Sequence, residues 1–354
     1  MDFVTHLALG AAVAQLPAQS KSCLSWQKRS LLGATSAIFP DIDYLLFFWQ
    51  PLEFLAYWHR AETHSLLLAP IWAWLLSLFW RRTISNFLSS TLIFRVCLMG
   101  ILSHVLIDSF TVFGTQWFAP LSDLAVAFDL LFVVDGYFTA TVLVTLIMLI
   151  LRRNNRYRIL WFTIPIVYLL MLAGLKLTAY NQLSLNAVDN THKKQALILL
   201  PQPFSPLYWQ AIEPTDGGFN QAYLRLADDQ IATQISEFFG LESHQQSYQQ
   251  LSQLNWNFYP TLPQNINWRA DALQVWNHHQ FEAFRDFADY PIFFEYQQSI
   301  KITCVWFSDL RYHWPNFIPS FRYGMCRRKG QSWKRYRMKY FSHEYYELQN
   351  SVDK

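Results

Sequence analysis

Long apolar runs are confined to the first half of the chain, and short polar stretches separate them. The first run, residues 3–16, stops at Pro17 and is short for a membrane span, so it predicts a tilted or re-entrant helix. The other runs predict helices that cross a membrane. They cover residues 31–49, 66–80, 92–107, 130–151 and 159–177. The pattern therefore predicts a mainly α fold whose residues 1–180 form a multi-pass helical membrane domain of about five to six apolar segments.

Lysine and arginine residues cluster in the loops between these runs. Loops 17–30, 81–95 and 152–158 are basic, and basic loops face the cytoplasm. With these loops inside, six segments alternate across the membrane without conflict, and the sixth ends outside. We therefore expect an integral protein of the bacterial inner membrane whose residues 181–354 form a periplasmic domain.

The second half of the chain is polar and rich in aromatic side chains. Its alternating segments predict strands and its amphipathic segments predict helices, so we expect residues 181–354 to form a soluble α+β domain. The predicted elements are a strand at 195–201, a hairpin over 209–226, helices within 228–254 and 268–289, and strands at 300–312 and 321–338.

Composition changes this picture only in detail. Hydrophobic residues make up 52% of the chain and charged residues 15%, against about 25% charged in an ordinary soluble domain. The net charge of +3 is too small to indicate a nucleic-acid partner. Cys304 and Cys326 could form a disulfide in an oxidising compartment, or both could remain thiols. No basic region precedes the first apolar run, so we expect no cleavable signal peptide.

Histidine and aspartate residues lie in or beside the apolar runs, where they are costly unless they pair, face water or bind a metal. His104 and Asp108 are four residues apart, which places both side chains on one face of a helix. The others lie at the predicted outer ends of the segments, so we interpret the whole set as one metal site. The predicted ligands are His6, Asp41, Asp43, His59, His64, His104 and Asp108.

Imidazole and carboxylate groups bind divalent metals such as zinc, and we predict one or two zinc ions here. Such ions activate a water and neutralise charge on a phosphoryl or acyl oxygen. Asp41 or Asp43 is the predicted general base, and Arg60 is predicted to hold an anionic group of the substrate. Asp129 and Asp135 are candidates for further ligands, or for acceptors that orient a ligating histidine.

Each group also has a non-catalytic interpretation. His6, His59 and His64 could lie at the membrane interface, and Asp41 and Asp43 could cap a helix. HExxH, GxSxG, GxxxxGK[ST] and GxGxxG motifs are absent from the sequence. The sequence therefore supports neither a zincin protease nor an α/β-hydrolase nor a nucleotide-binding fold.

Four short motifs in the first 140 residues resemble the YdjM-like family of membrane-bound metal-dependent hydrolases. They are Asp2-Phe3-Val4-Thr5-His6, Gly33 followed by Phe39-Pro40-Asp41-Ile42-Asp43, His59-Arg60-Ala61-Glu62-Thr63-His64-Ser65, and His104-Val105-Leu106-Ile107-Asp108. Two later stretches resemble the C-terminal extension of one branch of that family. They are Pro201-Gln202-Pro203-Phe204-Ser205-Pro206 and Phe307-Ser308-Asp309-Leu310-Arg311. The resemblance implies a metal-dependent hydrolase and supplies no substrate.

The order His, Asp, His, then HxxxD is more distantly similar to zinc-dependent phospholipase C and P1-type nucleases. Those helical enzymes hydrolyse phosphodiesters with a cluster of zinc ions. The similarity implies these metal ligands: His6, Asp43 or Asp41, His59 or His64, His104, and Asp108. The second HxxxD/E pattern of those enzymes is missing near residues 125–140, where Asp129 and Asp135 are the candidate replacements. Two metal ions are therefore implied rather than three.

The favoured hypothesis is an inner-membrane hydrolase that uses metal-activated water on a phosphoester or another ester at the outer membrane face. A site at that depth suits a small amphiphile, so we expect a lipid or lipid-linked substrate and contact with membrane lipids. One alternative is a metal or ion transporter, which needs polar groups through the full membrane depth. Another is a non-catalytic envelope scaffold with a structural metal. The sequence carries no indication of the oligomeric state.

Overall fold

The computed structural model describes residues 1–16, 25–84, 90–152, 157–186 and 197–348. The chain forms two compact units. The first comprises Met1–Leu45 and Trp58–Lys176, and the second comprises Leu46–Tyr57 and Leu177–Lys354. Parts of the predicted basic loops and of the first predicted strand lie outside the described residues. These parts are residues 17–24, 85–89, 153–156 and 195–196.

Helices dominate the first unit, and strands and helices share the second. The α-helices are α1 (Phe3–Val13), α2 (Trp26–Ile38), α3 (Tyr44–Phe47), α4 (Pro51–Glu53), α5 (Ala69–Ile84), α6 (Ser90–Asp108), α7 (Gly136–Leu151), α8 (Thr163–Asn186), α9 (Gln230–Phe239), α10 (Glu242–Gln246), α11 (Ile266–Trp276) and α12 (Glu282–Phe287). The strands are β1 (Thr115–Gln116), β2 (Ala125–Val126), β3 (Ile198–Pro201), β4 (Tyr208–Thr215), β5 (Gly218–Arg225), β6 (Asn257–Pro260), β7 (Pro291–Gln298), β8 (Ile302–Asp309), β9 (Arg322–Arg328), β10 (Lys334–Met338) and β11 (Tyr345–Glu347).

Helices α1, α2 and α6 approach one another through glycine residues. A Cβ atom on Gly33 would lie 2.2 Å from the carbonyl oxygen of Gly10 and 2.5 Å from the Cβ of Ala14. A Cβ atom on Gly100 would lie 2.8 Å from the carbonyl oxygen of Gly33. These distances leave no room for a side chain, so the backbones pack directly against each other. The close packing brings α1 and its histidine against α6.

Buried residues recur along α6 at helical spacing. Ile93, Cys97 and Ile101 are fully buried and pack in one core with residues of α2 and α5. His104 and Asp108 continue this buried side and are 0% and 1% exposed. Because one face of α6 carries both sets, the apolar packing of α6 also takes its two polar side chains into the interior.

The prediction of five to six membrane-crossing segments is wrong. Within the described ranges, two helical stretches are long and apolar enough to cross a membrane, by length and composition alone: Ser90–Asp108 and Arg158–Ser184. Helices α1 and α7 have 11 and 16 residues, or about 16 and 24 Å against an apolar bilayer core of about 30 Å. The run 31–49 is interrupted because α2 ends at Ile38 and a 3₁₀ turn containing Pro40 follows.

The mainly α class is also corrected. Of the residues that the structure describes, 51% are helical and 19% are in strands, and these strands form three antiparallel sheets. Its architecture is therefore a helical unit joined to a mixed helical and antiparallel-sheet unit. The alternation of six segments, which was the basis for placing the second domain outside, no longer applies.

Two antiparallel sheets lie in the second unit, with strand orders β3-β4-β5-β6 and β7-β8-β9-β10-β11. Strands β4 and β5 form the predicted hairpin, whose turn contains Gly217 at a φ of 84°. The predicted strand 321–338 is instead two strands, β9 and β10, with Gly330 at a φ of 79° between them. Glycine adopts such angles without a steric penalty, which explains both turns. The small sheet β1-β2 belongs to the first unit.

Residues 46–57 pack in the second unit although they come early in the chain. Glu53 forms a buried ion pair with Arg335, and the guanidinium of Arg337 lies 4.9 Å from the ring centre of Phe47. Between the predicted ligands Asp43 and His59, the chain therefore leaves the first unit and passes through the second.

Cys304 and Cys326 form a disulfide between opposing positions of β8 and β9. Their Cα atoms are 4.0 Å apart. Of the two alternatives that the sequence leaves open for these cysteines, the paired state is the one in the structure. Cys97 is a buried free thiol on α6.

Candidate metal centre

Three separate elements supply the polar groups of the candidate site. Asp41 lies in the 3₁₀ turn Phe39–Asp43, where Pro40 starts a tight turn instead of a continuing helix. His64 lies in a second 3₁₀ turn, Glu62–His64. The last turn of α6 supplies His104 and Asp108.

These four residues, which we call the His/Asp cluster, each direct one potential ligand atom to a common point. The atoms all lie within 4.8 Å of one another. The two Nε2 atoms of His64 and His104 are 2.9 Å apart. Oδ2 of Asp108 lies 3.3 Å from His104 Nε2, and Oδ1 of Asp41 lies 3.6 Å from the same nitrogen. Among the described residues, this is the group of histidine, cysteine and acidic side chains close enough to hold a metal ion.

Hydrogen bonding determines which atoms of the His/Asp cluster carry lone pairs. His104 Nδ1 is 2.5 Å from the carbonyl oxygen of Ala37, which can only accept, so Nδ1 carries the hydrogen and Nε2 a lone pair. Three acceptor atoms thus face one point: His104 Nε2, Asp41 Oδ1 and Asp108 Oδ2. His64 Nε2 can supply at most one hydrogen to them. Asp108 Oδ2 lies 3.1 Å from Arg60 Nε, but neither atom forms a hydrogen bond in the described part of the chain. This excess of acceptors fits a bound cation.

The protonation states also fit a metal. Burial lowers the pKa of His64 to about 4, so the ring is neutral at pH 7 and can bind a metal. Burial acts to raise the pKa of Asp41, but its interactions with His64 and His104 outweigh that effect and hold the pKa below its ordinary value. Asp41 is therefore an anion at neutral pH, and a carboxylate is the form that binds metals.

The other predicted ligands surround the His/Asp cluster without joining it. His6 Nε2 lies 3.1 Å from Asp108 Oδ1, and the His6 ring stacks on His104 with 3.8 Å between ring centres. The amino group of Met1 also contacts Asp108 Oδ1 at 2.5 Å. His6 thus orients two members of the cluster.

Asp43 and His59 form a second pair beside the cluster. His59 Nδ1 is 3.2 Å from Asp43 Oδ2, and the same oxygen accepts a hydrogen bond from the backbone N–H of Arg60 at 3.1 Å. Asp43 Oδ2 lies 3.7 Å from His64 Nδ1, so this pair faces the back of one cluster histidine. Burial lowers the pKa of His59.

Arg60 is buried, with 4% exposure, and has a φ of 60°. Its Nε lies 3.1 Å from Asp108 Oδ2. Its Nη1 donates to Thr111 Oγ1 at 2.7 Å and to the carbonyl oxygen of Asp108 at 3.1 Å. Protein groups therefore surround this guanidinium, which ties the loop before His64 to the end of α6.

Asp129 and Asp135 are placed elsewhere. Asp129 lies 3.6 Å from the ammonium of Lys176. Asp135 caps α7 by accepting from the backbone N–H of Phe138 at 2.8 Å, and it accepts from the hydroxyl of Tyr168 at 3.1 Å. Neither residue belongs to the His/Asp cluster, and no third metal is indicated by these contacts.

The sequence interpretation missed the carbonyl oxygen of Ala37, which sets the tautomer of His104. Any residue supplies such an oxygen, so no side-chain signal could reveal it. It also missed Thr111, which binds Arg60. A threonine three residues after Asp108 in a polar turn is too common a pattern to indicate this role.

The first unit is thus helical and holds a buried candidate metal centre, and the described residues include two apolar helical stretches long enough to cross a membrane. Residues 1–180 match the family model described as YdjM inner membrane protein. That match covers half of the 354-residue chain, and the chain belongs to this family. It is therefore an inner-membrane protein. No curated protein and no solved structure matches it, so the distant similarity to zinc-dependent phospholipase C and P1-type nucleases has no support.

Proposed function

We propose that this protein is a membrane-bound metal-dependent hydrolase whose His/Asp cluster holds a zinc ion. The observation that carries the proposal is the meeting of two carboxylates and two imidazoles at one buried point, where Asp41, Asp108 and His104 each present an acceptor atom. Two imidazoles and two carboxylates suit a borderline divalent metal. When bound, the ion would supply a Lewis acid for a phosphoryl or acyl oxygen and promote proton loss from water.

Asp43 is the proposed proton acceptor. Its Oδ2 is held by His59 and by the backbone N–H of Arg60, and this orients the carboxylate. Its Oδ1 has no hydrogen-bond partner among the residues described, so a proton can be accepted there. Arg60, with Nε 3.1 Å from Asp108 Oδ2, is proposed to keep Asp108 anionic.

The approach to the site supports an amphiphilic substrate. The side chain of Asp41 is 21% exposed, whereas the other cluster side chains are 0–1% exposed, so the site opens on the Asp41 side. The neighbouring Ile42, Tyr44 and Leu45 are 50%, 48% and 68% exposed. A polar group surrounded by exposed apolar side chains suits a substrate with a polar head and a lipid tail. We therefore propose a phosphoester or other ester of a lipid or lipid-linked molecule.

We also propose that the second unit faces the periplasm. The Cys304–Cys326 disulfide supports this placement. Disulfides persist in the periplasm, whereas cytoplasmic thiols are kept reduced.

The first test is metal content, measured by inductively coupled plasma mass spectrometry on the full chain purified in detergent. We expect about one equivalent of zinc in the wild type and none in the His104→Ala, Asp108→Ala double variant. His343→Ala is the control, because His343 is exposed in the second unit. The proposal fails if the wild type holds no metal after reconstitution with zinc.

The second test separates catalysis from metal binding. Asp43→Asn keeps the four cluster ligands, so we expect it to retain zinc and to lose hydrolysis of bis(p-nitrophenyl) phosphate and of phospholipid esters. Equal hydrolysis by the wild type and by Asp43→Asn would exclude Asp43 as the proton acceptor.

A structural metal site is the second candidate function. It is favoured by the burial of His64, His104 and Asp108, whose side chains are 0–1% exposed. In that case zinc would be retained and no ester tested would be hydrolysed, and loss of zinc would lower the melting temperature of the first unit.

A further inference from the structure

A cavity of about 530 Å³ lies in the second unit, where the edges of its two large sheets meet. Strand β6 is the edge of one sheet and contributes Asn257 and Tyr259 to the wall. Strand β7 is the edge of the other and contributes Phe293 and Phe294. The volume lies within the usual range for sites that bind small molecules, about 300–1,000 Å³.

The lining of this cavity combines side-chain amides with aromatic rings. Among its fifteen lining residues, four are asparagine or glutamine and six are tyrosine, phenylalanine or tryptophan. None of the fifteen is Asp, Glu, Lys or Arg. The one histidine, His313, is buried and has its Nε2 2.7 Å from Ser308 Oγ. Burial lowers the pKa of His313 to about 4, so the cavity wall carries no formal charge at neutral pH.

Two of the amides are held by neighbouring groups. The backbone N–H of Asn255 donates to Gln249 Oε1 at 2.9 Å, which leaves the Gln249 amino group as a donor. Asn316 Nδ2 donates to the carbonyl oxygen of Ser243 at 2.7 Å and to Ser247 Oγ at 3.0 Å, which leaves its Oδ1 as an acceptor. The wall thus offers an oriented donor and an oriented acceptor.

We propose that this cavity binds a neutral saccharide. Sugar hydroxyls both donate and accept, and they match amides that do the same. The C–H faces of sugar rings pack on aromatic side chains, which Trp314 and Tyr259 supply here. A phosphate or carboxylate ligand is disfavoured, because no cationic side chain lines the wall to compensate its desolvation. The proposal does not depend on the metal centre or on hydrolysis.

The test is isothermal titration calorimetry on the full chain in dodecyldimethylamine oxide, since maltoside and glucoside detergents carry sugar head groups. The probes are chitotetraose, maltotetraose and cellotetraose, with amidated, acetylated tetra-alanine as the uncharged peptide control. We expect at least one saccharide to bind saturably and the peptide not to bind.

Variants then locate the binding. Trp314→Ala and Asn257→Ala should each weaken saccharide binding, by about tenfold and about fivefold. The matched controls Trp256→Ala and Asn267→Ala change exposed residues that do not line the cavity, and they should bind as the wild type does. Asn257 is also exposed, so its variant is expected to fold. Three outcomes would overturn the proposal: no saccharide binds, the peptide binds at the same residues, or all four variants bind saccharide equally well.

Discussion

Buried charged side chains occur in both units, and the two sets differ in what surrounds them. In the second unit, Arg322, Arg335 and Arg337 are 0%, 2% and 4% exposed; we call them the arginine cluster. Protein groups face each one. Arg335 pairs with Glu53, Arg322 donates to two backbone carbonyl oxygens, and Arg337 lies 4.4 Å from the ring centre of Tyr340. Each member of the arginine cluster thus faces a protein partner, although Nε of Arg322 and Nε and Nη2 of Arg337 form no hydrogen bond among the described residues.

The His/Asp cluster of the first unit differs because its four potential ligand atoms converge on one point. Acceptors from Asp41, His104 and Asp108 face one another there, and Arg60 Nε lies 3.1 Å from Asp108 Oδ2 at the side of this point. Acceptors that converge on one buried point favour a cationic ligand there, whereas guanidinium groups that each face a protein partner favour a structural role. The comparison separates a candidate binding site from a structural feature of similar polarity.

The largest loss of stability is expected from Glu53→Gln, which tests the arginine cluster. The variant leaves Arg335 charged, buried and without its carboxylate, and breaking a buried pair costs about 3–5 kcal/mol. Hydrogen exchange of β9 and β10, read by mass spectrometry, would show the loss as faster exchange. Glu347→Gln is the control, because its pair with Lys334 is half exposed and contributes under about 1 kcal/mol. Equal exchange in both variants would show that the arginine cluster does not depend on Glu53.

A second prediction concerns pH and a histidine that the second unit keeps neutral. Burial lowers the pKa of His313 from 6.5 to about 4. Between these values the unfolded chain binds a proton at this residue and the folded unit does not. The neutral His313 ring therefore makes its full contribution to the free energy of unfolding above pH 6.5. This contribution, about 3 kcal/mol in total, is lost as the pH falls towards 4.

Thermal unfolding at pH 7.5 and pH 4.5, followed by circular dichroism, measures this loss. His313→Gln removes the titrating ring, so we expect its melting temperature to fall less between the two pH values than that of the wild type. An identical fall in both proteins would rule out His313 as the titrating group.

The smallest effect is expected at the edge of the candidate metal centre. His6 touches Asp108 and stacks on His104 without joining the four ligands. His6→Gln should therefore weaken zinc binding by about 10- to 100-fold without abolishing it. Competition with a chromophoric chelator measures the affinity, with His279→Gln in the second unit as the control. Complete loss of zinc would show that His6 is itself a ligand.

Part of the candidate site follows from sequence periodicity. The spacing of His104 and Asp108 predicts a shared helix face, and the two side chains are 3.3 Å apart on α6. The choice between Asp41 and Asp43, and between His59 and His64, could not be made in this way. Asp41 and Asp43 lie in one 3₁₀ turn, and His64 ends another that begins three residues after His59. Turns this short do not show the repeated pattern from which the direction of a side chain could be predicted.

The number of membrane spans was overestimated for a related reason. Apolar composition records which residues avoid water, but it does not record where a helix stops. Pro40 and the 3₁₀ turn around it divide the run 31–49, and the first run yields a helix of 11 residues. Nothing in the pattern indicates that residues 46–57 pack in the second unit, because that packing depends on Glu53 meeting a residue nearly three hundred positions later.

The sequence by itself determined the family, the residue types of the candidate site and the presence of an apolar first half with a polar second half. These are local properties, because a motif or a periodic pattern is complete within a few turns of chain. Tertiary structure alone decided which four side chains share one point, how Ala37 orients His104, and that Cys304 pairs with Cys326. Each of these depends on contacts between residues far apart in the chain. Such contacts form only when the helices have packed at their glycine residues and the turns and the sheet register are in place.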